Sequence, residues 1–320
     1  MSDGDGGSGG NGIDGSDPEF LSGDVSRVRR SLVEWYERDH RSFPWRETDD
    51  PYAVLVSEVM SQQTQLGRVV EPWRGFLERW PTVADLAAAD RAAVVGFWTD
   101  HSLGYNNRAR YLHEAARQVV EEYDGRFPEH PSELADLMGV GPYTANAVAS
   151  FAFNEGDAVV DTNVKRVLYR AFAEIHGADD PPYEELANAL MPEGESRVWN
   201  NAIMELGGVA CRKTPRCDEE GCPWRTWCDA YETGDFTAPD VPTQPEFEGS
   251  RRQFRGRVVS VLGEYDELAL DELGPRVRVD YTPEGNHGRE WLRGLLDDLA
   301  EDGLVTLEQR EENTVARLRQ

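Results

Sequence analysis

Apolar residues recur at helical spacing through most of the chain between residues 25 and 231. In the stretch DPYAVLVSEVM, for example, Leu55 and Val59 fall on one face of a helix, and Val56 and Met60 fall on the next. Such patterns cover residues 26–38, 51–65, 69–79, 91–98, 107–123, 131–138, 143–153, 163–175, 183–190 and 196–209. Because almost nothing alternates with period two, the pattern predicts an all-α body.

The composition changes at both ends of this helical body. Residues 1–24 are rich in Gly, Ser and Asp and are predicted to be an acidic, disordered tail. The helical body, 25–232, is followed by a Pro-rich stretch, 233–250, which is predicted to be a linker. Residues 251–320 combine short helical patterns at 255–263 and 267–273, a stripe of Trp and Leu residues within 291–299 and a closing hairpin pattern. Together these indicate a small winged-helix-like domain.

The chain is strongly acidic, with 60 Asp and Glu residues against 33 Lys and Arg residues and a net charge of −27. Only two of the basic residues, Lys165 and Lys213, are lysines, which suggests a halophilic protein adapted to concentrated salt. Such a charge usually argues against a nucleic-acid partner. In roughly 1 M salt, however, the Debye length falls to about 3 Å, so that local clusters of arginine matter more than the total.

The sequence does not predict a membrane protein. It begins without a basic leader followed by an apolar stretch, and no apolar run reaches the ~20 residues that span a bilayer. We therefore expect a cytoplasmic protein.

A carboxylate lies inside one of the most apolar helical patterns. Asp50 is the predicted N-cap of this helix and Pro51 its first residue. Glu58 follows within the apolar run, with Gln62 and Gln63 close behind. Burial raises the pKa of a carboxyl group, so Glu58 is a candidate proton donor. The alternative is a salt-bridged acid with a purely structural role.

A glycine-rich turn joins two predicted helices in LMGVGPYTANAVASFAF, residues 137–153. Gly139, Val140 and Gly141 form the predicted turn, and the second helix begins near Pro142. Two glycines allow a phosphate group to approach backbone N–H groups at a helix N-terminus. An isolated GxG would more often be an ordinary turn between helices.

A second acid precedes another helical pattern in AVVDTNVKRVLYRAF, residues 158–172. Asp161 is the predicted N-cap, and the free N–H groups and dipole of the helix stabilise its charged form. Most such aspartates are caps and nothing more.

All the cysteines lie in one segment, CRKTPRCDEEGCPWRTWC, with the spacing C-x5-C-x4-C-x5-C. They are Cys211, Cys217, Cys222 and Cys228. Four thiolates suit zinc, although zinc sites favour C-x2-C pairs and this segment has none. Disulfides are not expected in a cytoplasmic protein.

The order of these motifs resembles the endonuclease III superfamily of helix-hairpin-helix DNA glycosylases, and within it the MutY family of adenine glycosylases. The resemblance covers about residues 25–230. The segments that carry it are FPWR, DPYAVLVSEVMSQQTQ, WTDHSLGYNNRARYLHEAA, GVGPYTANAVASFAF and VDTNVKRV. It implies a two-lobed all-α glycosylase fold.

The same resemblance implies a [4Fe–4S] cluster on the four cysteines. The usual spacing in the family is C-x6-C-x2-C-x5-C, and only the last interval is the same here. We expect the cluster, with zinc as the alternative.

The resemblance also implies catalytic roles. Glu58 matches the family's catalytic glutamate, which protonates the adenine ring at N7 and later helps to activate water. Asp161 matches the second acid, which stabilises the cationic sugar, and Asn163 matches an asparagine close to that acid and to the water. Tyr143 stands where bifunctional relatives have a Schiff-base lysine. A phenol cannot form a Schiff base, so a monofunctional glycosylase without strong strand-cleaving activity is predicted.

Further positions match residues that contact DNA in the family. Gln63 matches an intercalating glutamine, and Leu103 and Tyr105 match residues that probe the opposite base and wedge the duplex. Leu103 and Tyr105 are alternatively core residues. The complete set of predicted DNA contacts is Gln62, Gln63, Leu103, Tyr105, Gly139, Gly141, Lys165 and Arg166.

These roles predict a monomeric base excision repair enzyme that removes adenine opposite 8-oxoguanine or guanine in double-stranded DNA. It would leave an abasic site for a downstream nuclease and act at the nucleoid. A thymine glycosylase acting on T·G mismatches is one alternative, because those relatives share the fold and often the tyrosine at position 143. A non-catalytic DNA-binding regulator is another, but it would have no use for Glu58.

The C-terminal segment departs from many members of the family. Residues 251–320 are too short for the Nudix-like domain that helps those members to recognise 8-oxoguanine. The segment has an arginine-rich start with Arg251, Arg252, Arg255 and Arg257. These side chains are expected either to contact DNA phosphates or to pack against the rest of the protein.

Overall fold

The computed structural model describes residues 25–173, 181–240, 246–310 and 313–319. The predicted disorder of residues 1–24, the end of the predicted helix 163–175 and part of the predicted linker 233–250 lie outside these residues. The described chain divides into two compact units. The first unit comprises the residues up to Arg41 together with Val160–Pro239, and the second comprises Ser42–Val159 and the residues from Asp240 onward.

Most of the described residues are helical. The helices are α1 (Val25–Arg38), α2 (Pro51–Ser61), α3 (Leu66–Arg79), α4 (Val83–Ala87), α5 (Arg91–Asp100), α6 (Asn107–Glu122), α7 (Pro131–Leu134), α8 (Pro142–Val148), α9 (Thr162–Ala171), α10 (Tyr183–Leu190), α11 (Ser196–Val209), α12 (Asp229–Thr233), α13 (Arg251–Glu264), α14 (Leu270–Val277) and α15 (Arg289–Glu301). The strands are β1 (Leu268–Ala269), β2 (Val305–Arg310) and β3 (Asn313–Leu318). The predicted all-α body is confirmed.

The first unit is built around α11, against which α1 and α9 pack. Trp199 of α11 is fully buried, and its ring lies 6.4 Å from that of the buried Trp224. Gly207 lets α9 approach closely, because a Cβ atom there would lie 2.8 Å from Cβ of Asn163. The close approach places the start of α9 directly beside α11.

The second unit encloses α2, which packs against α3, α6 and α8. The predicted start of α2 is confirmed, because Asp50 accepts a hydrogen bond from Tyr52 N at 3.0 Å and Pro51 is the first helical residue. Apolar side chains cover nearly every face of this helix. Those that are buried are Tyr52, Ala53, Val54, Leu55, Val56, Val59 and Met60.

The predicted continuation of α2 to residue 65 is wrong. The helix ends at Ser61, and Gln63 has a left-handed backbone with φ of 57°. The carbonyl groups of Val59 and Gln62 accept hydrogen bonds from the Arg108 guanidinium, both at 2.6 Å. Because these carbonyl groups are bound by Arg108, residues 62–65 leave the helix and form a loop.

Four other elements depart from the sequence analysis. The predicted helix 131–138 is the single turn α7, because Gly139 has φ of 76° and reverses the chain. The predicted helix 267–273 begins as strand β1, which pairs with β3. The short helices α4 and α12 were not predicted, because five residues are too few to show a period.

The C-terminal segment has three helices and a three-stranded antiparallel sheet with the strand order β1-β3-β2. The predicted hairpin is therefore present, and the sheet gains one short strand. Four leucines of the predicted stripe on α15 are buried: Leu292, Leu295, Leu296 and Leu299. Helix α13 packs against α14, α15 and α5, so the segment also contacts the helical body within the second unit.

Replacing Gly207 tests the close approach of α9 and α11. We expect Gly207→Ala to lower the free energy of unfolding by about 1–3 kcal/mol, because the added methyl group overlaps Asn163 and its backbone. The matched control is Gly96→Ala in α5, where a Cβ atom meets nothing within 4 Å. The control should gain up to about 1 kcal/mol from helix propensity. Urea unfolding of both variants provides the comparison, and equal stabilities would contradict the packing described here.

Candidate active site and nucleic-acid interface

Glu58 and Tyr143 lie on helices of the second unit that pack against each other. Glu58 is half-buried on α2, between the buried residues Ser57 and Val59. Tyr143 is half-buried on α8, and α2 and α8 are in contact. Gln62, at the end of α2, donates a long hydrogen bond of 3.5 Å from Nε2 to Thr144 Oγ1. The structure therefore brings the predicted acid close to the helix that follows the glycine turn.

The glycine turn has the predicted form. Gly139 needs to be glycine for two reasons: its φ is 76°, and a Cβ atom there would lie 2.5 Å from Cβ of Tyr111. Gly141 caps α8, is exposed, and has open space where a side chain would project. The backbone at the start of α8 is thus accessible to a ligand. Beyond Val148 the helix continues as a π-helical turn over Ala149–Phe153.

Two further segments present the predicted DNA contacts of the second unit. Gln63 is exposed in the turn after α2, and Tyr105, with 37% of its surface exposed, lies in the loop before α6. Both have left-handed backbones, with φ of 57° and 49°. Non-glycine residues rarely adopt this conformation, which costs about 1–3 kcal/mol at each position. Leu103, by contrast, is buried with 5% of its surface exposed.

The guanidinium of Arg108 joins these two segments. It donates to the carbonyl groups of Val59 and Gln62 on one side, and to those of Leu103 at 2.7 Å and Gly104 at 3.2 Å on the other. Burial lowers the pKa of Arg108 to about 10, so the group is still charged at neutral pH. The sequence analysis missed this residue. The signal available was a charged side chain beside Ala109 on the apolar face of α6.

Asp161 lies at the start of α9, in the first unit, and its predicted capping role is confirmed. Oδ1 accepts hydrogen bonds from Asn163 N at 2.8 Å and Val164 N at 2.7 Å. Oδ2 accepts a hydrogen bond from Asn163 Nδ2 at 2.9 Å. The side chain is half-buried and held by three donors.

Arg166 continues this network toward the cysteine segment. Its guanidinium donates to Asn163 Oδ1 at 2.8 Å, Gly207 O at 2.9 Å and Cys211 O at 2.8 Å. Burial lowers the pKa of Arg166. These donors are used inside the first unit, and the DNA contact predicted for Arg166 stays a prediction. Lys165 remains near the surface, with Nζ 3.8 Å from Glu184 Oε1.

The four cysteine thiols converge in the first unit without forming disulfides. Burial, together with the charges of the other cysteines, raises the pKa of Cys228 to about 11. The same two causes raise the pKa of Cys222 to about 12, although a backbone hydrogen bond partly opposes them. The thiolates are thus close enough to repel one another. Among the residues that the structure describes, however, no three His, Cys, Asp or Glu side chains are arranged to hold a single metal ion.

Arg170 fixes the loop that carries these cysteines. It is buried, with Nη1 3.6 Å from Cys211 Sγ and 2.7 Å from the carbonyl oxygen of Arg212. Its Nη2 donates to Phe236 O at 2.6 Å. A buried cation beside thiols offsets the negative charge that they would carry as metal ligands.

A buried ion pair in the first unit was also missed. Glu205, which is 1% exposed, accepts hydrogen bonds from Arg41 Nε at 2.8 Å and from Arg41 Nη2 at 3.0 Å. The partners are 164 residues apart, so no local pattern pairs them. The only local signal was a glutamate within the apolar pattern of α11. Buried charges of this kind often mark functional sites.

None of the helices in the described part of the chain is long and apolar enough to cross a membrane. Residues 56–193 match the family model described as the HhH-GPD superfamily of base excision DNA repair proteins, where HhH denotes the helix-hairpin-helix. This match agrees with the glycine turn between α7 and α8. The fold and the match together define the class: a helix-hairpin-helix protein of base excision repair.

Comparison with individual proteins narrows the class. An adenine DNA glycosylase of Mycolicibacterium smegmatis is 39% identical over 285 residues, covering 86% of this chain and 91% of the relative. An adenine DNA glycosylase of Mycobacterium tuberculosis is 40% identical over 243 residues, covering 72% of this chain and 77% of the relative. The chain belongs to the adenine DNA glycosylase family.

A solved structure also matches, that of a thermostable thymine-DNA glycosylase. It has a TM-score of 0.59 and 31% identity and covers 65% of this chain and 97% of that chain. The predicted helix-hairpin-helix glycosylase fold is thereby confirmed.

Removing the Arg108 guanidinium tests its role between the two segments. We expect Arg108→Met to lower the free energy of unfolding by about 2–4 kcal/mol, because it leaves buried carbonyl groups without donors. The matched control on the same helix is Arg117→Met, which removes only an exposed pair with Glu121. The control should change stability by less than about 1 kcal/mol. Equal midpoints in urea for the two variants would contradict the role assigned to Arg108.

Proposed function

We propose that this adenine DNA glycosylase acts on duplexes in which adenine lies opposite 8-oxoguanine or guanine, and that it leaves an abasic site. The observation that carries the proposal is the similarity to adenine DNA glycosylases over almost their whole length. It is supported by a half-buried acid, Glu58, on an apolar helix beside the glycine turn. The reaction is hydrolysis of the N-glycosidic bond, the first step of base excision repair.

Two carboxyl groups would divide the chemistry. Glu58 would protonate the adenine, because a half-buried acid on an apolar helix is suited to hold a proton. Asp161, held by three donors, would stabilise the cationic sugar. Asn163, which donates to Asp161, would orient the carboxylate and the attacking water.

The DNA contacts would come mainly from the exposed groups of the second unit. The target base must leave the stack before Glu58 can reach it. Gln63 and Tyr105 are exposed at strained positions, as expected of side chains that enter the duplex. The open backbone at Gly139 and Gly141 would bind a phosphate group, and Lys165 of the first unit would add a surface charge.

Tyr143 supports a monofunctional enzyme. Strand cleavage by β-elimination needs an amine that forms a Schiff base with the sugar, and the phenol of Tyr143 cannot supply one. The enzyme would act as a monomer in the cytoplasm, at the nucleoid, and release abasic DNA to a nuclease. Its acidic surface and scarcity of lysine suggest activity in roughly 1 M salt.

A thymine glycosylase acting on T·G mismatches is the second candidate. The solved structure of a thymine-DNA glycosylase, similar over 97% of its length, favours it. The higher identity and wider coverage of the adenine relatives favour adenine.

A panel of duplexes separates these functions. We expect adenine release from A·8-oxoG and A·G duplexes at roughly 1 M KCl, and no release from T·G or A·T. Glu58→Gln should slow release by roughly 10²-fold or more, the usual contribution of a catalytic acid. The matched control, Glu71→Gln, changes an exposed glutamate on α3 and should leave the rate unchanged. Single-turnover rates provide the measurement.

Three outcomes would contradict this function. Release of thymine alone would favour the second candidate. A Glu58→Gln variant with the wild-type rate would remove the proposed acid. A covalent complex trapped with borohydride in wild-type reactions would contradict the monofunctional chemistry.

We propose a [4Fe–4S] cluster as the group that the four cysteines hold. A cluster binds each thiolate to a different iron, so its ligands lie farther apart than the four ligands of one zinc ion. Thiols that converge without forming a site for a single ion are consistent with the cluster. Cys211, Cys217, Cys222 and Cys228 would be the ligands. Its contribution would be structural, since it would fix the loop that Arg166 and Arg170 bind.

Metal analysis tests the cluster independently of activity. We expect the protein purified without oxygen to contain four irons and four sulfides per chain, with the visible absorbance of a [4Fe–4S] cluster. Cys222→Ser should lose most of the iron and unfold more easily, whereas Thr226→Ser, in the same loop, should keep both properties. One zinc ion per chain without iron would establish the alternative.

A further inference from the structure

Met138 lies at the glycine turn and has no part in the roles assigned above. It directly precedes Gly139, and 41% of its surface is exposed. Its backbone N–H group donates a hydrogen bond to Gln118 Oε1 of α6 at 2.6 Å. The residue is therefore held by its backbone, while its thioether reaches solvent beside the turn that is proposed to bind a phosphate group.

Exposure distinguishes Met138 from the other methionines that the structure describes. The sequence contains five methionines, of which Met1 lies outside the described residues. Met60 is fully buried on α2, and Met191 and Met204 are half-buried. Because the oxidation of a side chain depends on its exposure, Met138 is the described methionine that an oxidant in solution reaches most easily.

The side chain of Met138 also borders a cavity inside the second unit. The cavity has a volume of about 180 Å³ and lies between α2, α6 and the glycine turn. Its apolar lining includes Leu55, Val59, Leu112 and Val140. A thioether suits this position because it is apolar and flexible, so that it can pack against the apolar wall and still meet solvent.

Oxidation changes the polarity of this side chain. A sulfoxide has a polar S=O bond, and packing it against an apolar wall without a hydrogen bond is unfavourable. The sulfoxide oxygen, which carries partial negative charge, therefore turns outward beside Gly139. The turn cannot easily move aside, because a Cβ atom on Gly139 would lie only 2.5 Å from Cβ of Tyr111. The oxygen then repels a phosphate group at this turn.

We propose that Met138 is a reversible oxidation site that lowers the affinity of the glycine turn for DNA. A lone pair of its Sδ atom attacks one oxygen of hydrogen peroxide, and the O–O bond breaks. The thioether is oxidised to a sulfoxide, and the second oxygen of the peroxide leaves as water with both protons. Methionine sulfoxide reductase reverses the change, with two thiols as the reductant and a disulfide and water as the other products.

The inference rests on the proposed function, because it takes the glycine turn to bind a phosphate group, and it adds a regulation to that site. 8-Oxoguanine is itself an oxidation product of guanine. The enzyme thus meets its proposed substrate where oxidants are present. Oxidation of Met138 releases the enzyme from DNA during exposure to peroxide, and reduction restores binding.

The test measures DNA affinity before and after treatment with hydrogen peroxide. The probe is a fluorescent duplex in which the adenosine opposite 8-oxoguanine carries a fluorine atom on its sugar, because fluorine destabilises the cationic sugar and prevents release of the base. Anisotropy gives the dissociation constant, and peptide mass spectrometry gives the oxidation of each methionine. We expect oxidation of Met138 to raise the dissociation constant about tenfold, the effect of one lost hydrogen bond to a charged group. Methionine sulfoxide reductase should restore the original value.

Substitutions separate this effect from damage to the cysteines, which peroxide also oxidises. Met138→Leu keeps an apolar side chain of similar size, so it should bind DNA as the wild type does and keep its affinity after peroxide. Met138→Gln places a polar side chain of similar length at the turn and should bind about tenfold more weakly without any oxidant. The matched control is Met204→Leu on α11, which should lose affinity after peroxide as the wild type does.

The outcomes separate this inference from the proposed function. If the wild type binds neither this duplex nor an undamaged one before treatment, the proposed function fails, and this inference fails with it. If the wild type binds DNA and keeps its affinity once Met138 is oxidised, only the inference is overturned. An equal loss in Met138→Leu would also overturn it, because oxidation of the cysteines would then be the cause. So would a thermal melt in which the oxidised wild type is unfolded at the assay temperature.

Discussion

The two segments of the second unit that carry Gln63 and Tyr105 depend on one buried guanidinium, that of Arg108. The two segments beside Arg108 contain residues with a left-handed backbone. The carbonyl groups of these segments therefore cannot all find hydrogen-bond donors within a helix or a sheet. Arg108 supplies donors to four of these carbonyl groups. Lysine could not replace it, because an ammonium is a point donor and lacks the planar fork that reaches two loops at once. The exposed Gln63 and Tyr105 therefore owe their positions to a residue that need not touch DNA.

In the first unit, arginine guanidinium groups likewise bind backbone carbonyl groups, here those of the cysteine segment. Arg166 and Arg170 both lie on α9, and both donate to carbonyl groups of residues 211–213. This role of arginine, which lysine cannot fill, is one structural reason why the chain keeps arginine and has almost no lysine. Arginines are kept where several carbonyl groups have to be bound inside the protein, while acidic residues dominate the surface. The net charge of −27 consequently says little about the local field at a site.

Local signals in the sequence were sufficient for most of the helices and for two of their N-caps. Asp50 and Asp161 were recognisable as N-caps, because a cap depends only on the next three residues. The end of α2 was not recognisable, because it is set by Arg108, which is 46 residues away from Gln62. Lys165 and Arg166 are adjacent in the motif, yet only the structure shows that the guanidinium turns inward. The Arg41–Glu205 pair could not be predicted from local signals either, because its two residues are 164 positions apart in the sequence.

The strained loop that carries Tyr105 explains the position of the C-terminal segment, whose helix α13 packs against α5 beside this loop. The loop that presents Tyr105 is strained, and Arg108 both binds its backbone and lies 5.3 Å from the centre of the Tyr105 ring. An exposed ring on a fixed backbone still has rotational freedom, which DNA binding would have to remove. Arg252 reduces this freedom by holding both the hydroxyl group and the face of the ring. Helix α13 can do so because it packs against α5, the helix that ends just before the loop. A short C-terminal segment can thus order the Tyr105 side chain within the protein itself.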